Sequence, residues 1–215
     1  LIQSMVLDEK RLRAEQGVWL DLPTNNYHVV CWGNPYEDTQ INDPSSLEAG
    51  IVGAPNYFTV NPIATNDSLY MGSKDVHIIY YISAVDTLYF GSAHIKMAIT
   101  LNGLDESTSP IEIVMENLSP TVDFHKTFST TPVTYYPLLS KDGNNFLSKF
   151  NVLRFNDDNP VVINLVNTST QETIYSLPLK DFMVTTHITV DGINEAFVGV
   201  AFIFKGISVT PEQWE

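Results

Sequence analysis

Only one cysteine, Cys31, occurs in the 215-residue chain, so no disulfide can close within it. Cations are scarce as well: Lys and Arg total 11 against 25 Asp and Glu, a formal net charge of −14. That balance repels phosphate backbones and anionic bilayer surfaces. Nucleic-acid binding needs a basic stripe to neutralise phosphates, and none is present. The one cationic cluster, Lys10, Arg11 and Arg13, is followed at once by Glu15 and reads as a solvated loop. No apolar run approaches the roughly 20 residues of a membrane span. A secretory leader is not visible, and the chain opens on Leu1-Ile2-Gln3-Ser4 without Met, so the expectation is that upstream residues have been cut off or left out.

Signatures of chemistry are equally sparse. The five histidines are His28, His77, His94, His125 and His187, and no two stand at the spacing of a helix face or at i, i+2 on a strand. There is no H-E-x-x-H and no Cys/His cluster, so each histidine reads as standing alone. Gly-x-Ser-x-Gly is absent, and Gly72-Ser73 and Gly91-Ser92 read as turn dipeptides. The glycines are scattered singly, which excludes a phosphate-cradling loop. Carboxylates pair as sequence neighbours, as at Asp8-Glu9 and Asp157-Asp158. The second pair offers hard oxygens to calcium but lacks the ligand spacing of a dedicated loop, and reads as a turn. Cys31 lies in the apolar run Tyr27-His28-Val29-Val30-Cys31-Trp32 with no close cation, so it reads as a buried thiol and not a nucleophile. No catalytic, cofactor-binding or metal residue is assigned. The expectation is a chain that is not an enzyme, takes no cofactor, and binds neither nucleic acid nor a small-molecule substrate.

What is present is strand periodicity. Ile95, Met97, Ile99 and Leu101 alternate with Lys96, Ala98, Thr100 and Asn102, which sets one face in a core and the other in solvent. Ile111, Ile113 and Met115 alternate with Glu112, Val114 and Glu116 in the same way. Val198, Val200, Phe202 and Phe204 share a face, with Gly199 and Ala201 between them where a neighbour can pack closely. Residues 19–22, 27–32, 76–82, 150–155, 161–167 and 173–177 are further strands, rich in the β-branched and aromatic residues that a pleated surface prefers. Asp142-Gly143-Asn144-Asn145 and Asp191-Gly192 are turn signals. Asn156-Asp157-Asp158-Asn159-Pro160, between two strand runs, predicts a hairpin with a longer loop. Helix is limited to a turn or so at 46–50 and 179–183, and the strand signal fades between 33 and 69.

Many short strands predict an all-β fold of antiparallel sandwiches. At 44% hydrophobic content the chain can fill one large β domain or two small ones. Two are preferred, because a small sandwich needs only about 100 residues. The boundary is placed where Ser83-Ala84-Val85-Asp86 and Gly91-Ser92 interrupt two strand patterns, giving domains 1–88 and 89–215. The doublets Tyr80-Tyr81 and Tyr135-Tyr136 each turn one ring outward, a surface for carbohydrate or protein if it is exposed. Asn66-Asp67-Ser68, Asn117-Leu118-Ser119 and Asn167-Thr168-Ser169 fit the N-glycosylation sequon as chance matches.

In order and spacing, these segments resemble the fimbrillin-associated anchor proteins of Bacteroidales fimbriae. Leu22-Pro23-Thr24-Asn25-Asn26-Tyr27, leading into a strand that ends Trp32-Gly33, is similar to that family's Leu-Pro-x-Gly-x-Tyr and Trp-Gly. Asn stands at the glycine position and also tolerates positive φ. Leu69-Tyr70-Met71-Gly72 is similar to Leu-Phe-Tyr-Gly before a strand. Tyr136-Pro137, then Phe150 through Phe155, then the strand, turn, strand and Leu-led helix from Val161 to Leu179 follow in the family's order, and Trp214 sits where its last strand closes. The resemblance implies two tandem transthyretin-like sandwich domains, the first lacking its N-terminal strands. It implies a fimbrial subunit of the anchor type, exported to the cell surface, with other fimbrial subunits as partners. It also implies an outer-membrane tether through a lipidated cysteine on a longer parent chain, since no such cysteine stands in these residues. A missing strand would leave a sheet edge for another strand to fill. Asp67-Ser68-Leu69 and Asp86-Thr87-Leu88 resemble the O-glycosylation motif of exported Bacteroidales proteins. The alternative is a surface glycan-binding lipoprotein that uses exposed Tyr or Trp as sugar platforms.

Overall fold

The computed structural model describes residues 4–80, 85–104, 110–143, 145–206 and 208–214. It is all-β. In chain order the strands are β1 (Asn25–Gly33), β2 (Gln40–Asn42), β3 (Ile51–Gly53), β4 (Tyr70–Ile78), β5 (Gly91–Ser92), β6 (His94–Asn102), β7 (Ile111–Leu118) and β8 (Thr121–Asp123). They continue with β9 (Val133–Tyr135), β10 (Ser140–Asp142), β11 (Asn145–Leu153), β12 (Val162–Asn167), β13 (Thr173–Pro178), β14 (Phe197–Lys205) and β15 (Ser208–Gln213). Helices are short: α1 (Glu9–Glu15), α2 (Pro55–Phe58) and α3 (Leu179–Thr186). No helix of the described residues is long and apolar enough to cross a membrane.

Four sheets form, in the orders β1-β4-β5, β2-β3-β8, β10-β11-β6-β14-β15 and β13-β12-β7-β9. Pairing is antiparallel except between β6 and β14, which run parallel. The two larger sheets enclose the main core. Ile95, Met97, Ile99 and Leu101 of β6 and Val198, Val200 and Phe202 of β14 meet Ile113 and Met115 of β7 and Ile163 and Leu165 of β12. The two smaller sheets share a second cluster, in which Val30 and Trp32 of β1 pack toward Val52 of β3, Val122 of β8 and Phe124. Both clusters reach into β11, where Val152 belongs to the first and Leu153 to the second, and Ala93, just before β6, also belongs to the second.

The outer face of β6 is drier than alternation predicts. Ala98 and Thr100 are buried along with the core-facing residues. Ala98 lies in register between Lys149 of β11 and Gly199 of β14. The Trp214 indole covers this spot, close to the Phe197 ring and 5.6 Å beneath Lys149 Nζ. A Cβ at Gly199 would sit 3.0 Å from Trp214 Cβ, so glycine admits the indole.

Several local expectations are corrected. Residues 19–22 form no strand: no sheet pairs with them, and Trp19 is 79% exposed. Strand propensity without a partner edge does not make a strand. The Lys10–Arg13 cluster is helix and not loop. Asp8 caps α1 by accepting the Arg11 amide at 2.6 Å, and ion pairs Arg13–Glu9 and Arg11–Glu15 brace its exposed face. Residues 46–50 close a single turn, with the Gly50 amide on the Ser46 carbonyl, while 179–183 extends into α3. The loop at 156–160 is no hairpin, because β11 and β12 belong to different sheets. Asp157 holds it against the α3–β14 connection by accepting from Thr189 Oγ1 at 2.6 Å and the Val190 amide at 2.7 Å, so the chain crosses over instead of doubling back.

Some expectations meet residues outside the description. Ser83 and Ala84 of the domain boundary, Tyr81 and Ile82 of the 76–82 strand, and Asn144 of the 142–145 turn are among them. Past residue 88, β5 pairs with β4 and β8 pairs with β3.

Phe202 is fully buried between the larger sheets. Phe202→Ala is expected to cost about 3–5 kcal/mol in urea-induced unfolding. The Ser148 hydroxyl is buried in the same region with no partner among the described residues. Ser148→Ala should therefore be neutral or stabilise by up to about 1 kcal/mol in the same measurement.

Candidate functional site

The buried polar groups come first, since chemistry would begin there. Ser92 and His94 are both buried and 3.0 Å apart, Oγ to Nδ1. His94 Nδ1 also faces the Leu69 carbonyl at 2.9 Å. A carbonyl only accepts, so Nδ1 must carry the proton and has no lone pair with which to activate the serine. The Ser92 hydroxyl instead donates to the His94 carbonyl at 2.8 Å. Burial pushes the His94 pKa below its ordinary value, which keeps the ring neutral. The pair is a structural joint between β4, β5 and β6.

A polar clasp surrounds that joint. Asn194 Oδ1 accepts the Ser92 amide at 2.8 Å. The Arg154 guanidinium donates to the carbonyls of Val190, Ile193 and Asn194. Lys96 pairs with Glu195 at 2.7 Å. Bonds from Lys96 and Tyr70 lower the Glu195 pKa, while the same contact with Glu195 pushes the Tyr70 phenol up to about 12. These residues tie the 190–195 segment to the place where the two clusters meet.

The residues singled out in the sequence are dispersed. Cys31 is half-buried, and burial raises its thiol pKa, the opposite of activation. Asp157 and Asp158 are spent on structure: Asp157 takes the donors above, and Asp158 pairs with Lys180 at 2.5 Å. Both pKa values are lowered, Asp157 first by the Thr189 hydroxyl and Asp158 first by Lys180. Tyr135 is buried and Tyr136 half-buried, while Tyr80 is 66% exposed. The sequon residues are structural too. Asn66 is buried and donates to the Tyr135 hydroxyl at 2.6 Å, Asn117 donates to the Pro160 carbonyl, and Asn167 accepts the amides of Ser169 and Thr170.

The fold brings three of the histidines close to one another's surroundings. His28 on β1 faces Asp75 on β4 at 2.7 Å, and His77 faces Asn26 at 2.5 Å. His125, from the segment after β8, brings its ring to 6.1 Å from that of His28 and bonds Glu48 at 3.3 Å. These residues are far apart in the chain, and only the fold makes them neighbours. A shallow cavity of about 330 Å³ lies beside them, lined by Asn26, Tyr27, His28, Asp75, Val76 and His77.

The strand edges differ sharply. β1 pairs with β4 through all nine of its residues without a register shift, and no described strand pairs with its other side. It carries no Lys and no Pro. The remaining edges are protected in the ways natural edges usually are. β2, β8, β9 and β10 have three residues each and β5 two. β15 carries Pro211, and β13 meets a register shift at Leu165/Val166 and ends in Pro178. Among the described residues, β1 is open along its whole length without Lys or Pro, whereas the far side of β4, unpaired with a strand past Met71, carries Lys74.

A model of the family described as fimbrillin-A associated anchor proteins Mfa1 and Mfa2 matches residues 2–215. Solved structures share the fold at low identity. An adhesin candidate of Bacteroides thetaiotaomicron has a TM-score of 0.63 and 14% identity, covering 87% of this chain and 73% of its own. A candidate polysaccharide-binding protein of the same organism has a TM-score of 0.68 and 11% identity, covering 91% and 78%. The fimbrial anchor protein Mfa2 from Porphyromonas gingivalis has a TM-score of 0.63 and 11% identity, covering 90% and 76%. No curated protein matches the sequence significantly.

Because its native pKa is depressed, Asp157 contributes stability above the unfolded carboxylate pKa near about 4, and loses it as pH falls through the native value. Thermal melts from about pH 6 down to about pH 3 should show a smaller acid-side loss in Asp157→Asn than in the wild type, at lower stability near neutrality.

Proposed function

Since the chain belongs to the family of fimbrillin-A associated anchor proteins, we propose that it is a fimbrial subunit of the anchor type, joining other subunits at the cell surface by strand pairing. The open β1 edge carries this reading. An edge strand presents a row of backbone donors and acceptors, and an extended segment from a partner satisfies them by extending the sheet. Nine residues in unbroken register offer a long template. Asn25, Asn26 and His28 are exposed and the other six residues of the strand half-buried, so added side chains would meet a partly apolar surface toward its Trp32 end.

On this reading the molecule works mechanically and without a catalytic centre. The tandem arrangement is of two transthyretin-like domains, joined at the Ser92–His94–Arg154 clasp, and the tether to the outer membrane is a lipid on a longer parent chain. Exposed Tyr36, Tyr80 and Tyr89 favour a second reading, glycan binding at the surface, because tyrosine rings left in solvent serve as sugar platforms. A glycan array separates the two: sugar selectivity, with no capture of fimbrial subunits, supports the second.

A photo-crosslinking residue placed at Val29 on β1 is expected to capture a fimbrial subunit in fimbriated cells, whereas the same probe at Thr210 on the edge strand β15 should not. Equal capture at both positions, or none at Val29, would overturn strand pairing at β1.

A further inference from the structure

The two smaller sheets are unequal in length. β1 and β4 have nine residues each, while β2, β3 and β8 have three. The inner face of the longer sheet therefore overhangs its partner. Along that face of β1, Trp32 and Val30 pack into the cluster, and the next residues of the same parity are His28 and Asn26. Their register partners on β4 are Asp75 and His77. The face turns from apolar to imidazole, carboxylate and amide where the cover ends.

Across the overhang stands a second imidazole on a preformed support. The Phe124 ring packs 6.1 Å from that of Trp32 and seats the segment in the cluster. Asp123 Oδ1 then accepts the amides of His125 at 2.9 Å and Thr127 at 2.7 Å, and the Asp123 amide donates to the Thr127 carbonyl. These bonds hold His125 facing His28, with ring centroids 6.1 Å apart.

Each imidazole already has a carboxylate on one nitrogen. His28 bonds Asp75 through Nδ1, and His125 bonds Glu48 through Nε2. A carboxylate on one ring nitrogen holds the proton there and leaves the other nitrogen as a lone-pair donor, the arrangement that orients metal-ligating histidines. His28 Nε2 and His125 Nδ1 are thereby left as ligand atoms, with no partner among the described residues. With metal–nitrogen bonds of about 2.1 Å, two imidazoles on one tetrahedral ion have centroids roughly 5–6 Å apart. The observed spacing is near that range.

We propose that His28 and His125 bind a divalent transition cation of the Zn²⁺ class, oriented by Asp75 and Glu48, and so staple the edge strand β1 to the segment that follows β8. Nitrogen donors select this class over Ca²⁺ and Mg²⁺, which require hard oxygens. The two carboxylates add negative charge beside the ion. No group of three or more His, Cys, Asp or Glu among the described residues could hold a metal ion, so the proposed ion has two protein ligands and would need water in its other positions. This inference departs from the expectation that each histidine stands alone. It does not depend on the fimbrial reading, because its test uses the purified chain.

Zn²⁺ titrated into the purified protein should bind at one ion per chain by calorimetry, raise Tm, and shift the imidazole NMR signals of His28 and His125 together. Ca²⁺ should do none of these. His28→Gln and His125→Gln should each abolish the Tm rise, Asp75→Asn and Glu48→Gln should weaken binding by about 10–100-fold, and His187→Gln should bind as the wild type does. The NMR shifts are read on wild-type protein, so they decide the matter even where a variant fails to fold. No binding by the wild type, a Tm rise that survives either imidazole substitution, loss in His187→Gln, or shifts confined to other histidines would overturn the proposal.

Discussion

The double obligation of β6 organises this molecule. It pairs antiparallel with β11 and parallel with β14, and both of its faces are covered. Its inner residues make the floor of the main core. Its first residue belongs to the joint with the other cluster, where the Ala93 amide donates to the Leu69 carbonyl and the Arg154 amide donates to the Ala93 carbonyl. A parallel neighbour cannot be reached by a tight turn. The chain between β6 and β14 therefore has to build the opposing sheet before it returns. The placement of α3 and of the Asp157 crossover follows from that return: the segment after α3 must arrive beside β6 in register, and Asp157 and Arg154 fix where it starts.

Strands in which burial and propensity agree were legible in the sequence. β6, β7 and β14 show their core faces residue by residue, and Gly199 and Ala201 mark the close approach of a neighbour. The failures share a cause, namely that the deciding contact lies outside the window being read. The 156–160 loop has the composition of a hairpin, yet sheet membership is settled by Asp157 reaching the backbone beyond α3. Residues 19–22 have strand composition but no edge to join. Helix α1 was missed for the opposite reason: a cap and two ion pairs stabilise it and it buries no residue, so the apolar period that announces most helices is absent.

The histidines show the same limit more sharply. Within the run Tyr27 to Trp32, inner-face parity already reads Trp32, Val30, His28, an apolar face turning polar at one end. What the sequence withholds is the length of the opposing sheet, which decides whether His28 meets core or an opening. Three-residue strands scattered through the 33–69 and 119–123 stretches give too little alternation to detect. Their shortness creates the overhang, and it also carries Glu48 and His125 to its rim.

The polar interior has a comparable logic. Asn66, Tyr135 and Asn151 interlock, with Asn66 donating to the tyrosine hydroxyl while its carbonyl accepts from Asn151 Nδ2 at 3.0 Å. Burial drives the Tyr135 phenol pKa well above its ordinary value, so the hydroxyl stays protonated and keeps this geometry. Together with the Arg154 clasp, these contacts add long-range polar bonding between segments far apart in the chain. Such bonds are directional, and leaving one unmade costs more than forming it gains, so they fix the relative placement of packed sheets more sharply than apolar contact does. An edge strand that took up a partner would gain from that fixity. Pairing along β1 would yield a ladder whose individual net bonds are worth only about 0.5–1.5 kcal/mol each, against an ordering cost paid on association. A sheet already held in place by the joint would add little to that cost.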